Sequence, residues 1–99
     1  MAIKYDLIPE MSLDDFAEAY GLVMVVHERP RQIDDPMRFY AMFKGVEESD
    51  GCLLVGLYGN GRTAEEAIKA YVKMISLKKL VINAMSPDRR TIAPTRITD

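Results

Sequence analysis

The segment opening at Thr63-Ala64-Glu65-Glu66 restricts the fold more than any other part of the chain. The threonine hydroxyl can accept the amide hydrogen three residues on and the glutamate can reach back, the reciprocal pairing of a capping box. Behind it Ala64, Ala67, Ile68, Tyr71, Val72 and Ile75 recur at helical spacing, with Lys69 and Lys73 on the opposite side. This pattern predicts a helix from about 64 to 78 with a single apolar stripe. Such a stripe must be laid against one surface, and 99 residues leave room for one core and one domain.

That surface is read as an antiparallel sheet. Leu22 to His27 is a β-branched run between Gly21 and Pro30, a strand signature. Residues 30–37 read as a loop. From Arg38 to Lys44 the chain alternates, with Phe39, Ala41 and Phe43 on one side and Arg38, Tyr40, Met42 and Lys44 on the other. Glu47 to Gly51 reads as a polar turn, and Cys52 to Tyr58 as the returning strand. Its expected core side is Leu53, Val55 and Leu57, with Cys52, Leu54 and Tyr58 opposite. Gly59-Asn60-Gly61 is expected to be a tight turn before the helix.

A shorter helix is expected at Leu13 to Tyr20. Ser12 is placed to cap it, Met11 and Phe16 to staple across the cap, and Gly21 to supply the left-handed stop. Leu80 to Ala84 reads as a fourth short strand, and residues 85–99, which include Pro94, as an extended tail or edge strand. The order α-β-β-β-α-β predicts a two-layer α+β sandwich: three or four antiparallel strands with helices on one face and a compact core over about 12–84.

The charge is divided along the chain. Residues 1–61 carry five basic and eleven acidic side chains, and residues 62–99 eight basic and four acidic, within an overall formal charge of −2. Cys52 and His27 are the only cysteine and histidine, which excludes an internal disulfide and argues against a Cys/His zinc site. No apolar run approaches the roughly 20 residues that a bilayer requires, and the first residues lack the pattern of a secretory signal, so a cytoplasmic, membrane-free protein is expected.

From Ser12 to Lys78 the layout resembles the double-stranded-RNA-binding-domain fold. The matching stretches are the short helix ending in Tyr20-Gly21-Leu22, the Arg38-Phe39-Tyr40-Ala41-Met42-Phe43 strand, and Gly59-Asn60-Gly61-Arg62-Thr63-Ala64-Glu65-Glu66-Ala67 entering the last helix. That family opens its last helix with lysines that grip phosphates. Here Ala64, Glu65, Glu66, Ala67 and Ile68 stand in their place, so repulsion replaces attraction and the RNA activity is not carried over. Gly61-Arg62-Thr63-Ala64-Glu65-Glu66-Ala67 is also similar to the strand-to-helix motif of HicB-type antitoxins. The opening Ile3-Lys4-Tyr5-Asp6-Leu7-Ile8-Pro9 and the ending Asp88-Arg89-Arg90-Thr91-Ile92 resemble small bacteriophage and prophage proteins.

The pattern yields no catalytic set, metal site or cofactor box. Gly59-x-Gly61-Arg62-Thr63 lacks the remaining elements of a phosphate or dinucleotide loop. Cys52 with His27, and the carboxylates Asp34, Asp35, Glu47, Glu48 and Asp50, lack the third orienting group or the spacing that chemistry would need. The candidate partner-binding surface is Tyr40, Met42 and Tyr58, with Leu54, on the sheet face away from the helices, flanked by Arg38 and Lys44. The expected role is therefore a non-enzymatic phage or prophage accessory protein. It would bind a host or phage protein, or a second copy of itself, and inhibit or redirect its target. Two alternatives are a nucleic-acid-binding domain using Arg38 and Lys44 with the tail cluster Arg89, Arg90 and Arg96, and a HicB-like antitoxin.

Overall fold

A computed structural model describes residues 2–30 and 36–98. Along the chain the elements are β1 (Glu10–Ser12), α1 (Leu13–Tyr20), β2 (Met24–Glu28), β3 (Phe39–Phe43), β4 (Val46–Asp50), β5 (Leu53–Val55), β6 (Gly59–Gly61), α2 (Ala64–Ile75), β7 (Leu80–Ile82), β8 (Arg90–Ile92) and β9 (Arg96–Thr98). The fold is the expected small α+β sandwich, with its strands divided among three groups. β2-β3-β6 and β5-β4-β7-β8 are antiparallel sheets, and β1 pairs with β9 in parallel.

Both helices form where their caps place them. Ser12 Oγ accepts from the Asp15 amide at 3.2 Å, and Gly21 ends α1 at φ +64°. Thr63 Oγ1 accepts from the Glu66 amide at 3.2 Å, and the Glu66 carboxylate accepts from the Arg62 amide at 2.8 Å. The stripe of α2 is buried as its spacing requires, through Ala67, Tyr71, Val72 and Ile75. The helix stops at Ile75, short of the expected 78, because Leu77 turns to φ +65° and donates its amide to the Thr95 carbonyl at 2.9 Å. A tertiary partner there replaces the next turn of helix.

α2 lies on β2-β3-β6 across Ala41, Phe43 and two glycines. A Cβ on Gly59 would stand 2.2 Å from the Tyr71 nitrogen, and one on Gly61 2.3 Å from the Ala67 nitrogen. These residues form strand β6, paired with β3 from Phe39↔Gly61 to Ala41↔Gly59, where the sequence reading places a turn. Their bare backbone lets the helix approach; Gly-x-Gly at this point is a packing device. Phe16 from α1, Phe43 from β3 and Tyr71 from α2 meet in the core, with ring separations of 6.2 Å and 5.7 Å about Phe43.

Four further expectations are corrected. Glu47 to Asp50 is strand, not turn: β4 pairs with β7 from Val46↔Ile82 to Glu48↔Leu80, and Glu48 meets Lys78 at 3.8 Å. The single strand expected over 52–58 is cut down to β5, and residues 56–58 form a link without strand structure to β6 in the other sheet. Leu53 and Val55, expected in the core, are exposed because β5 is the edge of its sheet; Leu53 is 67% exposed. The segment 85–99 supplies the edge strand β8, as read, but it also sends Ile92 and Ile97 into the core that was drawn at 84.

Candidate functional site

The face of β2-β3-β6 turned away from α2 carries the candidate surface. Because side chains alternate along a strand, burying Ala41 and Phe43 under α2 turns Tyr40 and Met42 outward. The antiparallel register sets His27 of β2 and Asn60 of β6 directly beside Tyr40 on either side. The His27 and Tyr40 rings stack at 4.7 Å with 18° between planes, and Tyr58 meets Tyr40 edge-on at 5.9 Å. The Arg29 guanidinium lies 4.9 Å from the centre of the Tyr40 ring.

Arg29 is held in turn by backbone and side chain. It donates to Asn60 Oδ1 at 2.6 Å, to the Phe39 carbonyl at 3.4 Å and to the Met37 carbonyl. Tyr40 is thereby fixed on three sides while one side of its ring faces a groove. That groove encloses about 440 Å³ and is lined by Glu28, Arg29, Pro30, Tyr40, Met42 and Tyr58. An aromatic and thioether floor with one cation and one anion at the rim suits a partner that offers an apolar side chain beside a polar group.

Three of the expected residues, Tyr40, Met42 and Tyr58, thus come together. Arg38 borders them through an ion pair with Glu28 at 3.1 Å. Lys44 lies beyond β3 in an exposed turn, its amide bonded to the Val23 carbonyl, and is not among the groove's lining residues. Leu54 belongs to β5, opposite Ser49, on the other sheet. Sequence reasoning missed Glu28, Arg29 and Pro30 of the lining, and His27 as the stacking partner. The signal was available in the alternation of Val25, His27 and Arg29, once β2 is laid antiparallel to β3.

The basic residues of the tail are distributed. Arg89 and Arg90 line a second groove of about 470 Å³ with Asn83, Pro87 and Asp88. Arg90 also donates to the Tyr20 carbonyl at 3.1 Å, placing a cation at the negative end of α1. Arg96 is on β9, opposite Glu10. At the mouth of α2, Glu66 and Thr63 engage the amides that an anion would use. A smaller recess of about 250 Å³ lies between the helices, lined by Ser12, Leu13, Asp14, Glu65, Ile68 and Lys69.

Cys52 is exposed beside β5 while His27 is on the other sheet, so the two are not brought together as a pair. Asp34 and Asp35 lie outside the described residues; Glu47, Glu48 and Asp50 are on β4. Among the described residues no cluster of three His, Cys, Asp or Glu side chains could hold a metal, and no helix is long and apolar enough to cross a membrane. Compared with protein-family models, characterised proteins and solved structures, the chain matches none.

Proposed function

We propose that this chain is a non-enzymatic interaction module that takes a protein partner in the Tyr40–Met42–Tyr58 groove. The observation that carries the reading is the fixing of Tyr40 by His27, Tyr58 and Arg29 on an open sheet face. Rigid aromatic groups lose little conformational freedom on binding, and they contribute disproportionately to the energy of protein interfaces. The setting we propose, from the likeness of both ends of the chain to phage proteins, is the cytoplasm of an infected host, where the partner is a host or phage protein to be inhibited or redirected.

Affinity capture from host lysate tests this. The wild-type chain is expected to retain a partner that the Tyr40→Ala and Tyr58→Ala variants lose, with all three showing a cooperative unfolding transition. Equal capture by the variants removes the groove from the reading. A labelled RNA or DNA that binds with steep salt dependence would favour the nucleic-acid alternative. A small toxin as the retained partner would favour the HicB-like one.

A further inference from the structure

Residues 3–8 have the pattern of a strand and no strand partner among the described residues. In Ile3-Lys4-Tyr5-Asp6-Leu7-Ile8 apolar and charged residues alternate up to Leu7, yet this segment is neither helix nor strand. Ile3, Tyr5 and Leu7 are 82%, 83% and 87% exposed. The arm is pinned at its base, where the Pro9 carbonyl accepts from Arg96 at 2.9 Å and β1 pairs with β9. An alternating apolar segment held extended in water is a strand without a sheet.

The same chain presents an open edge of matching length. β2 is the edge strand of β2-β3-β6, and among the described residues no strand pairs with its outer side. The Lys44 amide bonds to the Val23 carbonyl and the Arg29 amide to the Arg38 carbonyl, so the odd-numbered residues of β2 are committed to β3. The N–H and C=O groups of Met24, Val26 and Glu28 therefore point out of the sheet edge. Such a row is a template for another strand unless it is blunted by proline, a bulge or a covering segment.

We infer that residues 4–8 of a second copy of this chain add to β2 as an antiparallel strand. This inference does not require the groove to hold a partner, although the added strand would run beside its Glu28 and His27 side. Lys4 to Ile8 and Met24 to Glu28 are both five residues long, about 17 Å at strand rise. In the register Lys4↔Glu28, Asp6↔Val26 and Ile8↔Met24, each pair exchanges the outward backbone groups and Lys4 meets the acid of the edge. Tyr5 and Leu7 then lie beside His27 and Val25, extending the outer face by one aromatic ring. Pro9 follows at the point where β2 begins. Opposite charge at one end, apolar pairs at the other and equal length single out a copy of this chain, and a two-fold axis lets both arms bind at once.

Disulfide trapping in a Cys52→Ser background tests the register. Tyr5 and His27 would be a non-hydrogen-bonded pair, where side chains approach most closely. Tyr5→Cys combined with His27→Cys is expected to oxidise to a covalent dimer, whereas Tyr5→Cys with Leu54→Cys on the β5 edge is not. Sedimentation between roughly 1 and 100 μM is expected to show a dimer that Tyr5→Asp with Leu7→Asp weakens at least about tenfold. At concentrations where both proteins are monomeric the urea midpoint of this variant should match the wild type, since both side chains are exposed in the single chain. A wild-type chain that stays monomeric, a dimer indifferent to these substitutions, a cross-link closing within one chain, or trapping at Leu54→Cys in preference to His27→Cys overturns the proposal.

Discussion

Gly59 lies so close under Tyr71 that a first side-chain carbon there would come within 2.2 Å of the Tyr71 amide nitrogen and 2.4 Å of the Ala67 carbonyl oxygen. The obstacle is helix backbone, which cannot rotate away as a side-chain tip can. Gly59→Ala and Gly61→Ala are each expected to destabilise the fold by about 3 kcal/mol or more. Gly56, which has open space around it, is the control: Gly56→Ala should leave the urea midpoint unchanged or raise it slightly.

Tyr71 is buried among Phe43 and the rest of the core, and its hydroxyl has no well-formed hydrogen bond. Burial pushes its phenol above the usual tyrosine range of about 10, and the Phe43 backbone offsets part of that rise. With the folded value above the unfolded one, this contribution to stability is complete below pH about 10 and is lost as pH climbs through the folded value. Tyr71→Phe should keep or modestly raise neutral-pH stability, by about 1 kcal/mol at most, because it deletes an unsatisfied polar atom. Between pH 8 and pH 11.5 the stability of the variant should fall less steeply than that of the wild type, so that the two diverge with the tyrosine-specific loss removed.

The stacking of His27 on Tyr40 should be measurable as a coupling. In a double-mutant cycle of His27→Ala and Tyr40→Ala, the interaction energy is expected to be about 0.5–1 kcal/mol. The pair is partly exposed, so neither single change should unfold the domain. A coupling indistinguishable from zero would mean that the rings do not share this geometry in solution.

The exposed β5 edge and the core separate two kinds of apolar residue. Leu53→Asp should cost less than about 0.5 kcal/mol, as for other surface changes, whereas Phe43→Ala should cost about 3–5 kcal/mol. Thermal or urea unfolding distinguishes the two directly.

Capping signals and the stripe of α2 were legible because they are local: Ser12, Thr63, Gly21 and the spacing from Ala67 to Ile75 act within one or two turns of chain. β3 was legible for the same reason, as alternation forces Phe43 one way and Tyr40 the other. Glu47 was misread because its partner is on β7, more than thirty residues away, and a polar run carries no mark of a distant partner; Glu48 to Asp50 also pair locally with β5, with the turn displaced to Gly51 and Cys52. Leu53 misled in the opposite sense, since an apolar residue on an edge strand looks in sequence like one in the middle of a sheet. Of the groove, Tyr40 and Met42 followed from alternation along β3, whereas Tyr58 reaches it from the link between β5 and β6 and not from the strand expected over 52–58. Arg29 did not, because its place over the Tyr40 ring depends on the register of β2 against β3 and on Asn60.

The parallel clasp of β1 with β9 joins residues 10–12 to 96–98, and α1 follows directly from one of its strands. During synthesis the first strand therefore waits, unpaired, until residues 96–98 have left the ribosome. The sheet under α2 can assemble earlier from residues 24–75, so closure of the clasp is expected as a late act of folding and the first contact to be undone when the domain is pulled apart from residues 10 and 98.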